Sequence, residues 1–180
     1  MMLEPFSPFS VSEFQVKFAT CRWEREQAHA LRRSVFCEEQ GIFVDDDRDE
    51  IDDRAIPIVA LSMLGITADS VVGTVRIHEA EPGIWWGSRL AVARDFRKIG
   101  ALGATLIRLA VSSAHAMGCH RFLANVQSQN GPLFSRLHWH SQGELEIHGR
   151  PHLRMIADLD YYPPCLSPEI GFVALPRKAA

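Results

Sequence analysis

A short basic and glycine-containing segment, residues 97–104, has the composition of a phosphate-binding loop. It begins with Arg97 and Lys98 and continues through small residues and two glycines. Apolar residues then recur at helical spacing from Leu102, and Gly118 stands where a C-terminal cap is expected. A loop that opens such a helix directs backbone N–H groups and the positive end of the helix dipole at one point. The segment is therefore predicted to bind a phosphate group.

The spacing of these residues excludes the two commonest phosphate-loop motifs. A Walker motif requires Gly-x-x-x-x-Gly-Lys-Ser/Thr, and no Lys-Ser or Lys-Thr pair follows Gly100 or Gly103. The dinucleotide motif requires Gly-x-Gly-x-x-Gly, which this segment lacks.

The preceding residues 84–92 are predicted to form a strand, in which one face is shared by Ile84, Trp86, Leu90 and Val92.

Residues 92–106 resemble the acyl-CoA pyrophosphate loop of the GNAT N-acetyltransferase superfamily, in which a strand ending Leu-x-Val precedes Arg/Gln-x-x-Gly-x-Gly/Ala and a helix. Arg97 and Gly100 stand at the required spacing, whereas the next small position holds Leu102 and glycine follows one residue later. The resemblance implies that the acyl donor is acetyl-CoA. The residues that it implies for binding this donor are Leu90, Ala91, Val92, Arg97, Lys98, Ile99, Gly100, Ala101, Leu102, Gly103 and Ala104.

Two further segments carry the same resemblance, which spans about residues 14–160. Residues 32–40 are similar to the Arg-x-x-Val-Phe-x-x-Glu-Gln pattern of one GNAT branch, and an acidic Asp49-Glu-Ile-Asp52 follows. Residues 126–139 resemble the strand and short helix written Asn-x-x-(x)-Phe-Tyr-x-x-Leu-Gly-Phe, which implies donor contacts from Asn130 and Phe134. Within the superfamily, residues 120–124 and 148–152 resemble a bacterial subgroup associated with nitrogen starvation.

The order of elements predicts one α/β (α+β) domain with a mixed, mainly antiparallel sheet flanked by helices. Strands are expected at residues 14–18, 56–61, 71–78, 84–92, 121–127, 143–147 and 153–159, with helices at about 23–40, 102–117 and 131–137. The resemblance implies that the sheet is splayed at its centre, between the strands at 84–92 and 122–126. The domain is predicted to cover residues 1–162, and the proline-rich residues 163–180 are predicted to form a tail or linker.

Acetyl transfer to an amine requires a polarised carbonyl, a proton acceptor and a departing thiolate. The resemblance implies that backbone amides of the strand at 84–92 polarise the thioester and that the amine attacks directly. The proton acceptor is open among His78, Glu79 and water, since both residues end a predicted strand. Phe134 stands where the family places a tyrosine proton donor, which leaves Ser135 and His138 as neighbouring candidates, or no donor at all.

The charged and histidine-rich segments allow alternative interpretations. Residues 45–53 are predicted to form either a solvated acidic turn or a rim that attracts a cationic amine. His138-x-His140 and His148-x-x-x-His152 have spacings seen in metal pairs, but no third ligand is suitably placed, so no metal site is predicted.

Composition excludes several classes of partner. The 180-residue chain has a net charge of −3 and no long basic run, which excludes nucleic acid as the main partner. No run of 18 apolar residues is present, so no membrane partner is expected. Four scattered cysteines and the lack of a signal-peptide pattern favour a cytoplasmic location. The expected partner is a small-molecule amine, and a homodimer remains open.

Two alternatives to an N-acetyltransferase remain. Arg33, Phe36, Glu50 and Asp52 also resemble a pattern of the acyl-homoserine-lactone synthases, structural cousins that take acyl groups from a carrier protein. Such synthases typically lack the pyrophosphate loop, so Arg97 favours a CoA ester as the donor. The other alternative is a non-catalytic CoA-binding sensor or partner subunit that lost its proton donor at Phe134.

Overall fold

The computed structural model describes residues 13–99 and 101–176. In these residues the strands and helices are β1 Glu13–Phe18, α1 Arg22–Arg33, β2 Ile56–Leu64, β3 Thr67–Glu81, β4 Ile84–Val92, α2 Leu102–Ala116, β5 Arg121–Gln127, α3 Gly131–Arg136, β6 Trp139–Ile147, β7 Arg150–Ala157 and β8 Phe172–Ala174. The predicted helix at 23–40 is divided, because α1 is followed by a π-helical turn, Ser34–Glu39.

The strands form one sheet in the order β6-β7-β5-β4-β3-β2-β1-β8. Neighbouring strands are antiparallel except β4 and β5, which are parallel. The predicted mixed, mainly antiparallel sheet is therefore confirmed. The closing hairpin predicted at 143–147 and 153–159 is longer than expected and begins at Trp139.

Helices cover both faces of the sheet, which explains the continuous apolar run of β2. Ile58 and Ala60 belong to the core cluster beneath α2, whereas Val59 and Leu61 pack with Ala28 of α1. On the α2 face, Gly73 of β3 has no space for a side chain, since a Cβ there would lie 2.9 Å from Leu106. The helix thus lies directly on the sheet beside β4.

Strands β4 and β5 pair over only part of their length. Ile84–Gly87 pairs with Arg121–Ala124, and beyond these residues the two strands have no common register. The predicted splay between the two strands is therefore confirmed, and it leaves residues 88–92 of β4 without a partner on the β5 side in the described chain.

A β-bulge interrupts β4 at the same point. Arg76 pairs with Ser88 and Thr74 pairs with Ala91, so Arg89 and Leu90 together oppose one residue of β3. Arg89 has φ +56°, and such a bulge changes the face to which later side chains point.

The predicted common face of β4 is consequently wrong. Leu90 and Val92 pack on the α2 face, whereas Trp86 pairs with His78 on the α1 face.

The C-terminal segment differs from the predicted tail or linker. Strand β8 pairs with β1, and the N–H of Cys165 donates to the carbonyl of Ser112 at 2.9 Å. Gly171 is required here because a Cβ would lie 1.8 Å from the carbonyl oxygen of Val16. The prolines thus accompany an irregular path that is packed against the domain up to Ala174, which is buried.

Candidate active site

A cavity of about 420 Å³ lies where β4 and β5 separate. Its walls come from both faces of the sheet. The α1 side contributes Phe36, Phe43, Arg76, His78, Trp86 and Arg89, and the α2 side contributes Ile107, Ala110, Phe122, Phe134 and Trp139. The cavity therefore lies in the gap between β4 and β5 and is lined from both faces of the sheet.

At the N-terminus of α2, the backbone N–H groups of residues 102–104 have no partner among the described residues. The first intrahelical bond runs from the N–H of Thr105 to the carbonyl of Ala101 at 3.0 Å, so the N–H groups of residues 102–104 precede it. Ala101 has φ +50° and carries no side-chain cap. These N–H groups and the positive end of the helix dipole lie at the loop for which the sequence predicts a phosphate site, and that site stays a prediction.

The structure explains the departure from the family pattern at position 102. Leu102 is buried in the core, whereas Gly103 faces open space, with nothing within 4 Å of a Cβ built there. The glycine therefore occupies the exposed side of the first turn although it comes one residue late. Gly100, which the sequence also assigns to the donor, lies outside the described residues.

The basic part of the loop makes contacts within the protein. Arg97 binds both carboxylate oxygens of Glu39 and donates from Nε to the carbonyl of Val92 at 2.9 Å. These hydrogen bonds lower the pKa of Glu39 below its ordinary value. Lys98 is exposed and Ile99 packs against the core. A phosphate contact from Arg97 therefore requires that it exchange Glu39 for the ligand.

Among the predicted donor-binding residues that the structure describes, only Leu90, Asn130 and Phe134 line the cavity itself. Phe134 is buried, and its ring meets that of Trp139 edge to face, with 5.1 Å between the centroids. Ala91 packs instead against Val35 and Phe36.

Of the four predicted proton-transfer residues, the structure brings only His78 into the cavity. His78 is 7% exposed, and its Nδ1 has no hydrogen-bond partner in the described chain. Burial, and then the nearby Arg54 and Arg76, lower its pKa below the usual histidine value. The ring is therefore neutral at neutral pH and able to accept a proton.

The other three lie outside the cavity, and Ser135 is exposed. Glu79 is exposed and accepts a hydrogen bond from the N–H of Gly83 at 2.7 Å, which closes the β3–β4 turn. His138 is exposed and stacks on Tyr161, with 3.6 Å between the ring centroids.

The acidic segment is neither a solvated turn nor a rim for cations at its central residues. Asp47, Asp49 and Asp52 are bound by three guanidinium groups, those of Arg32, Arg76 and Arg89, at distances of 2.6–3.2 Å. Although burial opposes it, hydrogen bonding by Arg32 and Arg76 holds the pKa of Asp52 far below its ordinary value. We call these six residues the Arg–Asp cluster. Both predicted interpretations are therefore wrong for them.

Sequence reasoning did not place several residues in the cavity, among them Arg76, Arg89, His148 and His152. Arg76 could have been found, because an arginine two residues before His78 in an apolar strand shares its face. Arg89 could not, since its direction depends on the bulge.

Within residues 13–99 and 101–176, no group of three or more His, Cys, Asp or Glu side chains is placed to hold a metal ion. Over the same residues, every helix is too short or too polar to cross a lipid bilayer.

The fold and site define an acyltransferase of the GNAT class. The chain belongs to the GNAT acetyltransferase family, whose model matches residues 17–135. This family uses acyl-CoA donors.

Solved structures share the fold at low identity. A candidate N-acetyltransferase from Lactobacillus plantarum is 22% identical, with a TM-score of 0.71, over 80% of this chain and 97% of that one. Escherichia coli ElaA is 18% identical, with a TM-score of 0.66, over 82% and 99%. The CoA-dependent acyl-homoserine lactone synthase BjaI is 18% identical, with a TM-score of 0.68, over 88% and 94%. No curated protein matches the sequence significantly.

BjaI affects one argument made from the sequence. Because that synthase is named as CoA-dependent, a CoA-binding loop does not by itself separate an N-acetyltransferase from a lactone synthase. The structure also changes which charged residues correspond to the lactone-synthase pattern. Arg32 and Asp49, not Arg33 and Glu50, join Asp52 in the Arg–Asp cluster.

Proposed function

We propose that this protein is an N-acetyltransferase that transfers the acetyl group of acetyl-CoA to the amine of a small molecule. The observation that carries the proposal is the cavity in the gap between β4 and β5, at the unpaired part of β4. Its wall contains residues from the side of the sheet that carries α2 and also His78 from the other side.

The proposed donor site begins at the N-terminus of α2. The N–H groups of residues 102–104 take the pyrophosphate, and the pantetheine arm passes between β4 and β5. Ile107 and Phe134 supply apolar walls there. Backbone N–H groups of the unpaired β4 residues then donate to the thioester carbonyl, where negative charge develops in the transition state.

The amine nitrogen attacks the carbonyl carbon of the thioester directly. A C–N bond forms, the tetrahedral intermediate collapses, and the C–S bond breaks to release the CoA thiolate. His78 accepts the proton that the amine loses, because its neutral ring lines the cavity. Phe134 has no proton to give, so the thiolate departs unprotonated from this position. A thiol pKa near 8.5 makes it a fair leaving group.

Gly103→Asp is expected to weaken acetyl-CoA binding by at least tenfold without destabilising the protein. A carboxylate at this exposed first-turn position repels the pyrophosphate, whereas the same charge favours the helix N-terminus. Calorimetry measures Kd and a thermal melt measures stability.

Gly103→Ala is the matched control, since it fills the same open space without charge and should leave Kd within a factor of two or three. Equal Kd values for the aspartate and alanine variants would contradict the donor site.

An acyl-homoserine-lactone-synthase-like acyltransferase is the second candidate. The buried contact of Arg32 with Asp52 favours it, because the resemblance to these synthases rested on Asp52 and on an arginine of the same helix. The ligands named with BjaI, S-adenosylmethionine and isopentyl-CoA, supply the test. Release of CoA from that pair, with no release from acetyl-CoA and amines, would replace the N-acetyltransferase by the synthase.

Binding of acetyl-CoA with no CoA release from any donor and amine would indicate the third alternative, a non-catalytic CoA-binding protein. Membership of the nitrogen-starvation subgroup, and with it a role in nitrogen metabolism, belongs to the proposal of an N-acetyltransferase.

A further inference from the structure

The α1 side of the cavity has no carboxylate free to bind a cation. Asp49 is the single acidic residue in the described wall. Arg76 binds both of its oxygens, at 2.6 and 2.8 Å, and Arg89 binds one of them at 3.2 Å. Since the Arg–Asp cluster contains three carboxylates and three guanidinium groups, its charges balance. A polycationic amine would therefore gain no ion pair here.

Arg89 reaches this side of the cavity because of the β-bulge. Its side chain is 18% exposed, and its guanidinium lies 4.6 Å from the centre of the Phe43 ring. Nε and Nη2 donate to the carbonyl of Asp47, at 3.2 and 2.9 Å, and also contact the carboxylates of Asp47 and Asp49. Nη1 forms no hydrogen bond to a described residue.

Although the whole cluster is balanced, the described wall of the cavity carries two guanidinium groups, those of Arg76 and Arg89, and one carboxylate, that of Asp49. Burial, and then the neighbouring guanidinium of Arg76, lower the pKa of Arg89 below its ordinary value despite the nearby carboxylates. A further anion beside Arg89 would be stabilised by this charge and would occupy the free Nη1 donor.

We propose that the acceptor carries a carboxylate beside its amine and that the Arg89 guanidinium binds this carboxylate through Nη1. The acceptor class is then an α-amino acid with an apolar side chain. The inference rests on the proposed function and names its acceptor.

The position of Arg89 suits this role. Arg89 precedes Leu90 directly, at the start of the β4 segment that lacks a partner on the β5 side. A carboxylate held at Arg89 therefore keeps the α-amine, two bonds from the carboxylate carbon, close to the proposed thioester site. His78 lies on the same face of β3 as Arg76, which donates from Nε to Ser88 beside the bulge.

The remaining walls favour an apolar side chain on the acceptor. The α1 side of the cavity is lined by apolar and aromatic residues, namely Phe36, Ile42, Phe43, Ile51, Trp86 and Ile147. Aromatic and branched side chains such as those of phenylalanine and leucine would bury their apolar surface against these walls.

The test compares acceptors that differ only at the carboxylate, with acetyl-CoA as the donor and free CoA as the readout. L-Phenylalanine is expected to have a kcat/KM about 10- to 100-fold above that of both L-phenylalaninamide and phenethylamine. This is the effect expected from the loss of one charge-assisted hydrogen bond. The amine of the amide is less basic than that of the amino acid, and phenethylamine is more basic. A preference over both therefore cannot come from amine basicity. Spermidine should be the poorest acceptor of the four.

Arg89→Gln should bring the ratio of kcat/KM for phenylalanine over phenylalaninamide to about one. Because this change leaves the buried Asp47 with only Arg32, Arg89→Lys is the second variant, and its retained charge should preserve part of the ratio. Arg48→Gln is the matched control. Arg48 is exposed and follows Asp47 in the chain, so its replacement should keep the full ratio. Acetyl-CoA binding and a thermal melt check that each variant is folded.

Equal kcat/KM values for phenylalanine and its amide in the wild-type protein would overturn the inference and leave the proposed function intact. Faster acetylation of spermidine than of phenylalanine would do the same. Failure of all four amines to release CoA, in a protein that binds acetyl-CoA, would overturn the inference and count against the proposed function as well.

Discussion

Replacement of Arg32 by leucine is expected to lower the free energy of unfolding by about 3–5 kcal/mol, the cost of leaving a buried charge without its partner. Arg32 contacts Asp47 at 2.7 Å and Asp52 at 2.6 Å, and all three side chains are less than 10% exposed. Leucine retains the apolar part of the side chain but leaves Asp47 with Arg89 alone. Urea denaturation measures the change, with an unchanged slope confirming that the native state is otherwise intact.

Arg33→Leu supplies the matched control for this experiment. Arg33 is the next residue of α1 and is exposed, so its replacement should change stability by less than about 0.5 kcal/mol. Similar losses for both variants would show that helix composition, and not the Arg–Asp cluster, determines the effect.

His78→Gln is expected to lower kcat by about 10²–10⁴-fold, the contribution of a positioned general base. Glutamine preserves much of the side-chain volume and polarity but cannot accept the proton. In the wild-type protein the rate should rise with pH as His78 loses its proton and then reach a plateau. Since burial lowers the pKa of His78, this rise should lie below the usual histidine pKa. The rise should vanish in the variant, while Kd for acetyl-CoA stays unchanged.

His29→Gln is the control for histidine replacement. His29 also has an unpartnered Nδ1 in the described chain and a pKa lowered by burial, but it lies outside the cavity. Its replacement should leave kcat and the pH profile unchanged. If His78→Gln retains kcat within a few-fold, water and not His78 accepts the proton.

The parts of the fold that the sequence predicts correctly depend on local patterns. Alternation in residues 14–18 and helical spacing after Leu102 arise from neighbouring residues, so β1 and α2 follow from the sequence. The resemblance supplied the splay between β4 and β5, which no local pattern contains.

The parts that the sequence does not predict depend on distant partners. Asp47 and Arg89 are 42 positions apart, and Asp49 and Arg76 are 27 apart, so nothing local distinguishes these aspartates from solvated ones. The bulge at Arg89 likewise depends on the register with β3 and reverses the alternation expected from residues 84–92. The proline content of the C-terminal segment led to the prediction of a tail or linker, because composition does not show that β8 pairs with β1.

The central claim is that the acetyl group passes directly from CoA to an amine within the cavity at the β4–β5 splay. The most direct test uses acetyl-CoA with an isotopically labelled acetyl group and follows the label by mass spectrometry in the presence of L-phenylalanine and the other amines. The account predicts one labelled N-acetyl product for each free CoA released, with release abolished when the amine is omitted. Label recovered as free acetate, or CoA released at the same rate without any amine, would contradict it.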